Sequence, residues 1–184
     1  MCKNGCVEDF RSRMFHTRKE VVKMGFFKKL FGKPVDSLYA PLSGKAVPIT
    51  EVPDPTFAEG MLGNGIAIEP SDGKVYAPCD ATVDMMFSTG HAVSLVADCG
   101  AEILIHVGLE TVSLNGEPFT VHCANGDKVK KGDLLIEMDL AAIEAAGLPI
   151  ITPVVVCNTD DFATFETYVD KDVTNADAVI GLAK

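Results

Sequence analysis

The sequence has no run of eighteen apolar residues, so it holds no candidate for a helical membrane span. Basic residues are also scarce: 16 Lys+Arg stand against 26 Asp+Glu, a formal net charge of −10 over 184 residues. That balance excludes general nucleic-acid binding, which needs a basic surface to neutralise phosphates. The six cysteines (Cys2, Cys6, Cys79, Cys99, Cys123, Cys157) form no CxxC pair and no zinc spacing. With no secretory h-region either, they read as reduced, packing-type thiols of a cytoplasmic protein. GxxxxGK[ST], GxGxxG entering a helix, HExxH and GxSxG are all missing. The chain therefore lacks the usual means of binding ATP, a dinucleotide or catalytic zinc.

What remains is 47% hydrophobic and 23% charged, the composition of a folded globular domain. The charge is unevenly spread. Residues 1–33 carry nine basic and three acidic side chains, a net of +6, and residues 34–184 a net of −16. A basic, flexible leader is thus expected before one acidic domain. Within the leader, residues 24–31 read Met-Gly-Phe-Phe-Lys-Lys-Leu-Phe. At helical spacing Phe26, Phe27, Leu30 and Phe31 share a face, with Lys28 and Lys29 off it. Either this is a short amphipathic helix resting on an anionic membrane surface, or it is a frayed tail. Met24 also reads as an alternative translation start.

From residue 34 onward the pattern is short apolar segments between turns. Strands are predicted at 37–40, 46–49, 65–69, 74–77, 81–87, 92–97, 102–107, 119–122, 134–138, 151–156 and 164–169. Turns rich in Gly, Asn, Asp and Pro separate them, as at Ala97-Asp-Cys-Gly100 and Asn125-Gly-Asp127. Residues 139–147 form a short helix, with Asp139 as N-cap and Gly147 as stop. The fold class is mainly β: an antiparallel sandwich or barrel with one or two short helices.

Two histidines stand apart. His106 lies in the strand Glu102-Ile-Leu-Ile-His106-Val-Gly108, where Leu104, His106 and Gly108 point away from Ile103, Ile105 and Val107. Gly108 leaves room beside the ring. His91 follows the turn Ser88-Thr-Gly90. Pairing 92–97 with 102–107 about a centre near residue 99 sets His91 opposite residue 107, one step from His106. A neutral imidazole is both nucleophile and proton acceptor, so such a pair can take a phosphoryl group on one ring and steady it with the other. The hydroxyl of Thr89 is a further donor. A satisfied core histidine is the competing reading, and spacing alone leaves both open. His16 belongs to the leader, and His122 reads as a surface residue.

The segments Phe87-Ser-Thr-Gly-His91-Ala-Val and Glu102-Ile-Leu-Ile-His106-Val-Gly-Leu-Glu-Thr-Val112 carry a resemblance. With Ala40-Pro-Leu-Ser-Gly44, Val52-Pro-Asp54, Gly63-Asn-Gly65, Gly126-Asp-Lys-Val-Lys-Lys-Gly-Asp133 and Thr152-Pro-Val-Val, they resemble the glucose-type IIA protein (EIIA) of the bacterial phosphoenolpyruvate:sugar phosphotransferase system. The match runs from about residue 37 to 183, and residues 24–31 look like the membrane-touching N-terminus of standalone members. The resemblance implies a β-sandwich phosphocarrier. It would take a phosphoryl group from HPr on His106 and pass it to a cysteine on the IIB domain of a sugar permease. His91 would stabilise the phosphate and Thr89 would orient an imidazole. Phe57, Leu62, Phe87, Leu104 and Val112 would form an exposed apolar collar for partners, next to Gly108, with Asp54 and Glu110 facing basic residues on them.

The resemblance implies no cofactor beyond covalent phosphate on His106, and no intrinsic metal. A zinc ion would bind His91 and His106 only if a partner shared it. A monomer is the default expectation for a carrier that must release its partners quickly, cytoplasmic or peripheral at the inner face of the membrane; whether the unphosphorylated state also has regulatory binding stays open. Glu110 stands where many members have Asp, and residues 1–23 have no counterpart. A second reading is a biotinyl or lipoyl carrier, because residues 126–135 resemble the hairpin of those barrels. Asp84-Met-Met-Phe87 lacks the lysine such a carrier modifies. A zinc peptidase of the related barrel type would need HxxxD and HxH ligands, which are missing.

Overall fold

The computed structural model describes residues 36–184. The leader, with Cys2, Cys6, His16 and the segment 24–31, lies outside the described residues. The first seven strands are β1 (Asp36–Tyr39), β2 (Gly44–Pro48), β3 (Asn64–Pro70), β4 (Lys74–Tyr76), β5 (Ala81–Met86), β6 (Ala92–Ala97) and β7 (Glu102–His106). The next seven are β8 (Phe119–Val121), β9 (Lys128–Val129), β10 (Leu134–Met138), β11 (Thr152–Val156), β12 (Thr164–Thr167), β13 (Lys171–Val173) and β14 (Ala178–Ala183). Two helices, α1 (Pro55–Ala58) and α2 (Leu140–Ala145), join them.

An eight-stranded sheet runs β13-β2-β3-β11-β7-β6-β5-β9, and two three-stranded sheets run β1-β14-β12 and β4-β10-β8. Every pairing is antiparallel. The sheets close on one apolar core. Leu38, Ile180 and Leu182 reach it from the first small sheet, Val75, Leu135 and Ile136 from the second, and Ile66, Val93, Leu95, Ile103, Ile105 and Val154 from the large one. Alternation along β7 explains why Ile103 and Ile105 face this core while Leu104 and His106 face away.

All eleven predicted strands are present, most within a residue or two of their expected ends. Asp139 caps α2 by accepting the Ala142 N–H, and Gly147 ends that helical segment at φ 74°. Three strands and α1 were not predicted. β13 and β9 are two- or three-residue edge pieces, too short to show a period. β14 reads Ala-Val-Ile-Gly-Leu-Ala and is buried on both faces between β1 and β12, so it has no alternation to detect. The Pro-Asp-Pro stretch at 53–55 leads into α1, where the Asp54 carboxylate accepts the Thr56 N–H at 2.8 Å and Pro55 takes the first helical position.

Cys79, Cys99, Cys123 and Cys157 are free thiols, and the first three pack on the core. Burial pushes Cys79 and Cys157 up to about 12, so neither is a thiolate at neutral pH.

Candidate functional site

The turn Ala97–Gly100 folds β6 back on β7 so that Ala92 pairs with His106 and Val93 with Ile105. His91 stands one residue outside β6, its carbonyl accepting the Val107 N–H at 2.8 Å. The register is the predicted one. Strict alternation would nevertheless put the His91 and His106 side chains on opposite faces of the sheet. They meet because His91 precedes the regular strand and follows Gly90, which has a positive φ of 68°. A Cβ at Gly90 would come within 2.9 Å of Phe119 Cβ and 3.0 Å of Val121 Cγ2, so the corner takes only glycine.

The two imidazole rings lie edge to face with centroids 5.2 Å apart. Phe57 packs 5.3 Å from His106, and Phe87 meets His91 edge-on at 5.2 Å. His91 is only 3% exposed, whereas His106 is half-buried.

Hydrogen bonds decide what each ring nitrogen offers. His106 Nδ1 lies 2.7 Å from Gly108 O. A carbonyl oxygen only accepts, so Nδ1 carries the proton and Nε2 presents a bare lone pair. His91 Nδ1 lies 2.5 Å from Thr89 Oγ1. A hydroxyl donating there leaves the proton of His91 on Nε2. With the Thr89 hydroxyl donating, one ring can offer a lone pair and the other a hydrogen bond.

Burial lowers the basicity of both. His91 is held down to about 4, mainly by desolvation and secondarily by the neighbouring His106. Desolvation also lowers His106, against the opposing pull of the Gly108 hydrogen bond and of the Asp54 and Glu110 carboxylates. Both rings are neutral at pH 7. Because unfolded histidine takes up a proton near pH 6.5 and folded His91 does not, the unfolded state binds more protons between those values. Stability is therefore full above pH 6.5 and falls as the pH drops towards about 4. Between pH 7 and 5, where most carboxylates are still ionised, His91 accounts for a loss of about 2 kcal/mol. Denaturant titrations at the two pH values check this: the loss should shrink in His91→Gln, and an equal loss in that variant would contradict it.

The partner residues fall into two groups. Val112 is exposed, Leu62 and Phe87 are half-buried, and Glu110 is exposed, so these stand at the rim. Phe57 and Leu104 do not form an exposed collar. They are 5% and 4% exposed, and α1 lays Phe57 against the His106 ring. The Asp54 carboxylate is half-buried and holds the start of α1 as well as facing the site. Gly108 is buried too, and the room beside it is already filled: a Cβ there would lie 2.7 Å from Thr111 Cγ2 and 2.9 Å from Pro149 O. Its φ of 69° adds strain for any other residue. Gly108→Ala should cost about 1–3 kcal/mol of stability in a urea titration. A variant as stable as the parent would show that the loop yields freely.

Among features the sequence reading passed over, Met61 and Val121 are exposed apolar residues, and Val121 and half-buried Phe119 pack at the Gly90 corner. Their signal was weak: single apolar residues in a turn and a three-residue strand. His122 is exposed, with Nε2 2.9 Å from Glu137 Oε2 and away from the paired rings in sequence and strand. The two site histidines fall short of the three protein ligands that a zinc site takes. In the hairpin likened to biotinyl and lipoyl carriers, Lys130 bonds Asp80 at 2.8 Å and the Lys131 ammonium lies over the Tyr39 ring, whereas a modified lysine must swing free. Among the described residues no helix is long and apolar enough to cross a membrane.

The chain is similar to proteins of one known family. Residues 36–162 match the family described as phosphoenolpyruvate-dependent sugar phosphotransferase system, EIIA 1. The glucose-specific EIIA component of Halalkalibacterium halodurans is 48% identical over 151 residues, covering 76% of this chain and 87% of that protein. The mannose-specific EIIBCA component of Corynebacterium glutamicum is 53% identical over 138 residues, and the β-glucoside-specific EIIBCA component of Dickeya chrysanthemi 49% over 131. These cover 75% and 71% of this chain, which spans only 20% and 21% of the two longer proteins. The solved structure of glucose permease IIA from Mycoplasma capricolum superposes with a TM-score of 0.72 at 32% identity, over 85% of this chain and 98% of that one. The chain belongs to the EIIA 1 family of the phosphoenolpyruvate-dependent sugar phosphotransferase system, and its domain is of the glucose type.

Proposed function

We propose that the chain is a histidine phosphocarrier. It takes a phosphoryl group from phospho-HPr on His106 Nε2 and delivers it to a cysteine on the IIB domain of a sugar permease. The observation that carries this is the Nδ1–H bond of His106 to Gly108 O, which leaves Nε2 unprotonated on a half-buried ring. In the first handover the Nε2 lone pair forms a bond to phosphorus, and the donor atom of HPr leaves with its bonding pair. In the second, a thiolate attacks phosphorus and the N–P pair returns to Nε2. No proton need be added to or removed from Nε2 in either step.

Phosphoryl transfer asks for positioning and for stabilisation of charge on the equatorial oxygens. His91 Nε2–H supplies a donor whose orientation Thr89 sets. Asp54 and Glu110 act in the opposite sense: their charges disfavour a resident dianion, which keeps the group transferable, and they attract basic partner residues. Exposed Val112 and half-buried Leu62 and Phe87 give the partner an apolar landing surface. In this reading the protein works as a cytoplasmic monomer, needs no cofactor beyond the phosphate it carries, and touches an anionic membrane through residues 24–31.

Reconstitution with phosphoenolpyruvate, Enzyme I and HPr tests it. Acid-labile, base-stable phosphate should map to the peptide containing His106. Label confined to another residue would reject the assignment.

A further inference from the structure

Two buried hydroxyls beneath the site have no part in the steps above. Thr111 and Thr152 both have 0% exposure, and among the described residues the other buried polar side chains are His91 and Ser94. A hydroxyl so placed must find partners, and these two find theirs on the backbone next to His106. Thr111 Oγ1 donates to Val107 O at 2.7 Å. Thr152 Oγ1 donates to Ile150 O at 3.0 Å and accepts the Gly108 N–H at 3.4 Å. Val107 O and Gly108 N belong to one peptide unit, which is therefore gripped from both edges. The following unit joins Gly108 O to Leu109 N, and the Leu109 N–H donates to Pro149 O at 2.9 Å. Both peptide planes that meet at Gly108 are set by groups outside the Val107–Leu109 stretch.

That matters because Gly108 O is the acceptor for His106 Nδ1. Glycine crosses φ/ψ space more easily than any other residue, so an unheld carbonyl here would turn away at little cost. An imidazole without that acceptor divides its proton between Nδ1 and Nε2, and the Nε2–H form has no lone pair to attack with. Thr111 has the shorter bond and also sets its methyl group against Gly108, so it should matter more than Thr152.

We infer that Thr111 and Thr152 are positioning residues, whose hydroxyls hold the Val107–Gly108 peptide so that Gly108 O keeps the His106 proton on Nδ1 and the lone pair on Nε2. Only the rate measurement below rests on the phosphocarrier reading; the tautomer measurement does not.

The test uses the full chain with Thr111→Val, which keeps the shape, Thr111→Ser, which keeps the hydroxyl, and Thr152→Val. Ring-nitrogen NMR near pH 8 reports the His106 tautomer, and single-turnover mixing with phospho-HPr reports transfer. Wild type and Thr111→Ser should show the Nδ1–H form alone. Thr111→Val should show both forms and slow transfer by about tenfold, the equivalent of one hydrogen bond. Thr152→Val should move the same way by less, and it decides the matter if Thr111→Val does not fold. Wild-type tautomer and rate in the folded valine variants would overturn the inference. So would slower transfer with the tautomer unchanged, since the hydroxyls would then act elsewhere. If wild type takes no phosphate at all, the phosphocarrier reading fails while the tautomer data still judge the two threonines.

Discussion

His106→Gln leaves no acid-labile phosphate on the protein after incubation with phosphoenolpyruvate, Enzyme I and HPr. The amide of glutamine can still reach Gly108 O, so the hollow keeps its shape, but an amide nitrogen has no free pair to offer phosphorus. No other group at the site replaces it. His91 is buried, its Nδ1 is occupied by Thr89, and its Nε2 carries the proton in the arrangement described. The loss should therefore be complete to background, with a melting temperature close to that of the parent. Labelling at more than a trace in the folded variant would mean that another side chain is the acceptor.

The second large effect is expected at His91. Removing a preorganised donor aimed at developing charge costs about 10²–10³ in rate at comparable sites. His91→Ala should lose that much in stopped-flow transfer between phospho-HPr and the IIB domain, with the label still found on His106. Thr89→Val should lose less, about tenfold, because the ring stays and only its tautomer is freed. The order of the two effects is the informative part. If Thr89→Val were as damaging as His91→Ala, the hydroxyl would have to contact the phosphoryl group itself. If His91→Ala transferred at the parent rate, the second imidazole would be only a packing residue.

The sequence made the strand pair and its register legible, because the Ala97–Gly100 turn and the alternation of β7 both act locally. Pairing about residue 99 follows from those residues alone, and Ala92 opposite His106 realises it. Convergence of the two rings did not follow from that register. It depends on a departure from regular strand geometry at Gly90, and the pattern of apolar residues does not record such a departure. The depth of Phe57 and Leu104 escaped for a different reason. An apolar residue on the outer face of a strand looks the same whether that face is covered or not, and α1, which carries Phe57, is only four residues long. Its one readable sign was Asp54 followed by proline. Thr111 and Thr152 were visible in the matching motifs; Thr111 bonds Val107 O only four residues away, but Thr152 meets Gly108 N across 44 residues, which no local pattern discloses.

Each site histidine has a left-handed glycine within two positions, Gly90 at φ 68° and Gly108 at φ 69°. The two site rings lie beside these hinges of the chain, His106 at the end of β7 and His91 just before β6. Both hinges are jammed from outside, one by Phe119 and Val121, the other by Thr111 and Pro149. The receptacle is thus complete before any visitor arrives. If the chain is the phosphocarrier proposed, such a courier would lose no time to refitting at either door as it met supplier and customer by turns.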